Sequence, residues 1–262
     1  QKQKETYESQ ISKKETSESN EDVVEVETGE TETDKSIPSK VFELSKRNIV
    51  EIDTDYYNAK FLERKAIARS WKLEKYKRRD EKEKLVNIIP ASALNCLSIK
   101  FMDSSLQLKA SEAQWKSDKS QVKLFDEESK TVIFKSQIND NLEVSKKLTF
   151  YNNSYVVDLD ISFHNKSTGR LTALSSKDES GESGYMLRWG PGIPADTLPG
   201  GGKSRRRGGD NGPKAFTIEG KLKEELEKEQ KRIPVKWVAF DNKYFMASII
   251  PDPNLEPEYR IE

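Results

Sequence analysis

The side chains able to do covalent or metal chemistry are few. His164 is the only histidine, so a hydrolase triad, a histidine-built metal site or a His/Glu pair for sugar epimerisation would each have to use it. It falls on the polar side of an alternating run, beside a turn, where exposure is expected. Cys96 is the only cysteine, which excludes an internal disulfide and a cysteine-built metal site. The 45 carboxylates stand mostly in charge-rich runs, and no two are singled out as a pair for glycoside chemistry. No catalytic residue, metal site or cofactor is predicted.

Four motifs invite a sharper reading. GGGKS (Gly200–Ser204) suggests a phosphate loop, but Thr197 stands where that loop needs its first glycine. The flanks PADTLP and RRRGGDNGP also lack the strand and helix that aim backbone N–H groups at phosphates. KSRRRGGD (Lys203–Asp210) is basic, but has no interleaved aromatics for base stacking, so no nucleic-acid partner is predicted. Asn152-Asn153-Ser154 and Asn165-Lys166-Ser167 match a glycosylation acceptor by chance composition of turns. LRWGPGIP (Leu187–Pro194) is more distinctive. Pro191 fixes one φ and Gly192 is free to take a positive one, giving a sharp exit from a strand. Arg188 and Trp189 are the candidate lining of a cleft or a partner surface.

The elements that must position these residues follow from composition and period. Of 262 residues, 34% are apolar and 34% charged, with 45 basic against 45 acidic side chains. Zero net charge supplies no field for nucleic acid or anionic lipid. Residues 1–34 carry four lysines against eleven acids and almost no large apolar groups. Residues 1–47 are therefore expected to be a disordered acidic linker. No run approaches the roughly 20 apolar residues of a membrane helix, and no signal peptide opens the chain.

From Asn48 the texture turns to alternation. Asn48–Phe61 reads as a half-buried strand with Tyr57, Ala59 and Phe61 on one side. Arg69–Lys77 places Trp71 and Leu73 on one face. Leu85–Pro90, Cys96–Phe101, Ser105–Ala110, Val122–Phe125 and Thr131–Ile138 are further strand candidates. Leu142–Ser167 is an antiparallel hairpin around Tyr151-Asn152-Asn153-Ser154, with Val157, Leu159, Ile161 and Phe163 sharing a face.

Residues 181–212 hold ten of thirteen glycines and should be mostly loop, with 195–213 a flexible Gly/Arg segment. Lys221–Arg232 admits two parses. It is a solvated helix, or it follows a strand Ala215–Ile218 and a Glu219-Gly220 turn as a second strand. Lys236–Pro251 is the most apolar and aromatic stretch. It is expected to form a core hairpin of Val235–Phe240 and Lys243–Ile250 around an Asp241-Asn242 turn. The second strand is apolar on both faces and so should lie centrally. Short strands with almost no helical period predict an all-β sandwich.

Four of these segments together resemble the large periplasmic domain of the bacterial membrane protein insertase YidC. NIVEIDTDYYNAKFLERKAIARSWKLEKYK is similar to its opening strands, with Trp71 and Tyr76 in the S-W-x-L-x-x-Y segment. KKLTFYNNSYVVDLDISFHNKS resembles its central hairpin. LRWGPGIP resembles its Trp-Gly-Pro-Gly loop, through Trp189, Gly190, Pro191 and Gly192. VKWVAFDNKYFMASIIP resembles its closing strand pair, through Trp237, Tyr244, Phe245 and Pro251.

The turn after the first strands, often containing glycine in the family, reads ERKAIARS here, and the Gly/Arg loop is longer and more basic. The resemblance implies a β-super-sandwich on a mutarotase-like scaffold over residues 48–262, truncated at its C-terminal side. It would lie on the periplasmic side of the inner membrane, between the first and second membrane helices. It also implies a non-enzymatic accessory role, with Sec translocon subunits and nascent membrane proteins as partners. A linker of 47 residues would reach about 35–40 Å. A carbohydrate-binding or carbohydrate-modifying β-sandwich is the alternative on the same scaffold.

Overall fold

The structure is a computed structural model that describes residues 48–78, 83–125, 128–169, 174, 184–190, 192–194, 212–217, 222–223, 235–242, 244–252 and 254, with 212–217 and 222–223 by backbone alone. The expected linker 1–47 and most of the segment 195–213 lie outside these residues. So does Lys221–Arg232, apart from Leu222 and Lys223.

In chain order the elements are β1 (Ile49–Thr54), β2 (Tyr57–Leu62), β3 (Ile67–Lys77), β4 (Leu85–Asn87), β5 (Ser98–Phe101), α1 (Ser104–Glu112), β6 (Trp115–Ser117) and β7 (Gln121–Leu124). Then come β8 (Ser129–Asn139), β9 (Leu142–Tyr151), β10 (Val157–Asn165), β11 (Tyr185–Arg188), β12 (Gly212–Thr217), β13 (Leu222–Lys223), β14 (Val235–Asp241) and β15 (Met246–Ile249).

They build two main sheets, β4-β3-β2-β1-β7 and β10-β9-β8-β6, with a β11-β5 pair and a β13-β12-β14-β15 sheet beside them. All pairings are antiparallel except β1 with β7. The all-β sandwich expected from the alternation is the fold. Among the described residues no helix is long and apolar enough to cross a membrane.

The core lies between the two main sheets because each strand turns alternate side chains toward the other sheet. Val50, Ile52, Ala59 and Phe61 come from one side; Val132, Phe134, Val144 and Phe150 come from the other. Phe61 is the centre of contact, with ring centroids 5.7 Å from Phe134, 6.0 Å from Phe150 and 6.2 Å from Trp71. The β9–β10 hairpin has the expected faces. Val157, Leu159, Ile161 and Phe163 pack on the core, while Asp158, Asp160, Ser162 and His164 are exposed.

Three expectations are corrected. Asn48–Phe61 is a hairpin rather than one strand. The Thr54 hydroxyl accepts from the N–H groups of Tyr56 and Tyr57 (3.1 and 3.0 Å) and donates to the Tyr57 carbonyl (3.1 Å), closing a turn at Asp55-Tyr56. Hydroxyls close turns in this way by replacing a backbone donor or acceptor locally. Both arms keep alternate residues buried, which is why the run looked continuous.

Ser105–Ala110 is helical, within α1. Asp103 caps it, its carboxylate accepting from Leu106 N at 2.8 Å, and the cap satisfies a donor that a strand would leave to its neighbour. Only Leu106 of its leucines is buried.

Lys243–Ile250 is not central: β15 is the edge of its described sheet, with Met246 60% and Ile250 72% exposed. Its turn also extends further than Asp241-Asn242. The Asn242 side chain accepts from Tyr244 N and Phe245 N (3.0 and 2.9 Å), and Asn242 N donates to Phe245 O (2.9 Å). Of the two parses near residue 220, the described backbone has two paired strands, with Ala215 opposite Lys223 and Phe216 opposite Leu222.

Candidate functional site

The Trp-Gly-Pro-Gly loop leaves β11, and hydrogen bonds hold Arg188 and Gly190 at its start. Arg188 Nε donates to Ser98 Oγ (3.1 Å), and its Nη2 reaches Asn95 Oδ1 (3.3 Å). Its carbonyl accepts from Leu97 N (2.8 Å). The Cys96 thiol donates to the Gly190 carbonyl at 3.0 Å, and burial pushes that thiol above its ordinary pKa. Trp189 is partly buried against the core.

Gly192 is buried at φ +120°, and a Cβ there would lie 3.4 Å from Phe240 Cδ1. Gly192→Ala should therefore cost about 1–3 kcal/mol, mostly as backbone strain. Chemical denaturation checks this, and an unshifted midpoint would refute it. Pro191 lies outside the described residues. The geometry makes Arg188 a brace on the loop at 95–98.

That loop and the turn after β2 share a feature invisible in the motifs. Among the described residues, Ala66 (φ 47°) and Leu97 (φ 62°) are the non-glycine residues with positive φ, a region that side chains with a Cβ enter at a cost. Both carbonyls accept a hydrogen bond from one amine, Lys146 Nζ, at 2.8 Å for Ala66. Lys146 is 1% exposed and its nitrogen lies 5.0 Å from the Trp115 ring centroid. Loss of water around the ammonium pulls its pKa down to about 7.

The ERKAIARS turn, which lacks the family's glycine, thus forms with Ala66 in the left-handed region, closed by Ala66 N to Glu63 O at 3.0 Å. Its carbonyl is fixed from the opposite sheet. Sequence reasoning missed Lys146. The signal was present, because Val144, Lys146, Leu148 and Phe150 occupy the same inward side of β9.

The third feature is an aromatic end built by segments far apart in sequence. Tyr56, in the β1–β2 turn, meets Tyr155, in the β9–β10 connection, edge-on at 4.9 Å. Lys75 Nζ lies over the Tyr56 ring, 3.6 Å from its centroid, within cation–π range. Tyr76 meets Phe245 at 5.3 Å. Burial, then the neighbouring Tyr76 and Tyr56, push the Tyr155 phenol above its ordinary pKa, so these rings form one cluster. Its outer part is solvent-exposed, with Tyr76 45%, Tyr155 42% and Val156 62% exposed, while Tyr56 and Phe245 are partly buried against the core. A polar frame holds the turns: Asn152 donates to Asp55 (2.8 Å) and to the Phe125 carbonyl (3.0 Å), and Asp55 N donates back to Asn152 (3.1 Å).

The remaining predicted positions fall around these features. Trp71 is buried, 5.0 Å from the Tyr57 ring. Trp237 and Pro251 are partly buried, and Tyr244 is exposed. An open groove of about 580 Å³ lies over β6 and β8, lined by Lys116, Asp118, Lys135, Gln137 and Glu143 among others. Its charges of both signs give it no single preference. His164 is exposed on β10. Among the described residues no three His, Cys, Asp or Glu side chains converge as metal ligands. The features that stand out among the described residues are thus the aromatic end and an internal clamp.

No curated protein matches the chain. The family model described as the YidC periplasmic domain matches residues 49–261. That span runs from the first residue of β1 past the last described strand, and it takes in the four segments in which the resemblance was found, Asn48 at the start of the first excepted. The chain belongs to the YidC periplasmic domain family.

Proposed function

We propose that this chain is an accessory domain of a YidC-type insertase, held on the periplasmic side of the inner membrane. There it helps integral membrane proteins to insert and fold, alone or with the Sec translocon. The observation that carries the reading is the family match over residues 49–261. On this reading the domain acts by contact and not by covalent chemistry, and His164, exposed on a strand, has no catalytic part. Insertion itself lowers the cost of moving polar flanks into lipid, which is work for membrane helices. The domain's share would be to hold partners nearby.

The test is cross-linking in living cells. Photoreactive residues replace the exposed Leu108 on α1 and the exposed Tyr155 in the full-length insertase, during synthesis of an inner-membrane protein. Adducts with a Sec subunit or with the nascent chain are expected from at least one position. Adducts with neither, from both positions, would reject the reading.

A further inference from the structure

A strand at the rim of a sheet leaves a row of backbone N–H and C=O groups without partners. Proteins ordinarily blunt such rims with short strands, lysine, proline or a bulge. Other rim strands here, such as β4, β6, β7 and β15, have only three or four residues. β10 departs from that rule. It runs for nine residues, Val157 to Asn165, at the rim of the β10-β9-β8-β6 sheet, and among the described residues no strand pairs with its outer side. It holds no lysine or proline, and its register against β9 is unbroken from end to end. Its core-facing side is also unfinished. Val157, Leu159, Ile161 and Phe163 are only partly buried, whereas Val144, Leu148 and Phe150 on the same side of β9 are buried.

The order of residues in β10 points to its occupant, because the strand is complementary to itself. In an antiparallel pair of two copies about a two-fold axis at Ile161, the middle residue, all nine residues find a partner. Asp158 of each copy then stands opposite His164 of the other, Leu159 opposite Phe163, Asp160 opposite Ser162 and Ile161 opposite itself. Such a contact is isologous, and its cross-strand pairs are opposite charges or apolar partners. Asp160 lies diagonal to its own counterpart, but Lys147 on β9 stands 3.3 Å from it as a counter-charge. An axis one residue nearer the start of the strand would set Asp160 against itself. One residue the other way would set Leu159 against Asn165.

We infer that β10 is a self-association edge, through which two copies of this chain pair antiparallel about Ile161 and join their β10-β9-β8-β6 sheets into one. The inference stands on these residues and not on the insertase reading, so the two tests fail separately.

The test is sedimentation velocity of the 262-residue chain at about 100 µM, since so small a contact associates weakly. At about pH 6 the wild type should show a reversible dimer. Asp158→Lys and His164→Asp each set like charges opposite one another twice per dimer, and each should weaken it about tenfold or more. The double variant Asp158→Lys/His164→Asp exchanges the charges and should restore it. Both positions are exposed, so all three variants should melt close to the wild type. From about pH 8 to pH 6 the wild type should associate about fivefold more tightly, because histidine takes up its charge over that range. The groups facing His164 are then Asp158 and Asp160 of the second copy, and on its own copy Glu143 of β9 with Lys166 bound to it at 2.8 Å. A wild type that stays monomeric would overturn the inference. So would single variants that fold and associate undiminished, or a double variant as weak as the singles. A monomer that retains an extended polypeptide would overturn it too, and assign the edge to another chain.

Discussion

Lys146→Met is expected to destabilise the chain by about 2–4 kcal/mol at pH 9, because the carbonyls of Ala66 and Leu97 lose their shared donor and an unsatisfied buried group costs about 1–3 kcal/mol. The second half of the expectation is its dependence on pH. An unfolded lysine titrates near 10.4, and burial brings the folded one to about 7. Between those values the folded chain binds fewer protons than the unfolded chain, so stability rises with pH across that window. The slope is at most about 1.4 kcal/mol per pH unit. Below pH 7 both states carry the proton and this increment is lost. Urea unfolding from pH 6 to 9, followed by tryptophan fluorescence, should show stability climbing in the wild type and losing that slope in Lys146→Met. The same slope in both proteins would mean that Lys146 keeps an ordinary pKa.

Phe61→Ala should cost about 3–5 kcal/mol. Phe61 is the ring on which both main sheets converge, meeting Trp71 within its own sheet and Phe134 and Phe150 across the core. Removing it leaves a cavity that two hydrogen-bonded sheets cannot close by collapsing. Trp237→Ala is the instructive comparison. Trp237 sits one strand from the edge of the β13-β12-β14-β15 sheet and is only partly buried, so its loss should cost clearly less. Equal losses at the two positions, measured by the same denaturation, would return the core to the β14–β15 hairpin.

Much of the sandwich was legible because alternation maps directly onto faces. Trp71 with Leu73, and the run from Val157 to Phe163, needed only period two to be placed. The errors have physical causes. Leu106 and Leu108 alternate as in a strand, but Asp103 supplies a helix cap just before them, and over so short a run the cap outweighs the alternation. Met246 and Ile250 are apolar, yet apolarity states a preference for leaving water without naming the partner. Burial inside the fold and contact at its surface use the same residues.

Lys146 was passed over because a cation in an apolar run looks like a solvated position, although its place between Val144 and Leu148 put it inside. The aromatic end was beyond sequence reading altogether. Tyr56, Tyr155 and Phe245 lie roughly a hundred residues apart in the chain, on turns of three different sheets. Arg188 and Trp189 were singled out as the lining of a cleft or a partner surface, but the bonds of Arg188 to Asn95 and Ser98 could not be read from the motif.

The clamp also has a consequence for chemical reactivity. An amine that is substantially uncharged near neutral pH is a strong nucleophile, and an acylating reagent should find it readily. Lys146 is such an amine, but at 1% exposure it is walled off by the two sheets it joins. Its acylation therefore waits for the sandwich to part, while exposed lysines such as Lys75 and Lys77 react from the closed state. The rate at which a label appears on Lys146 measures how often the interior opens, so the domain carries its own reporter of opening at the point where its two halves are tied.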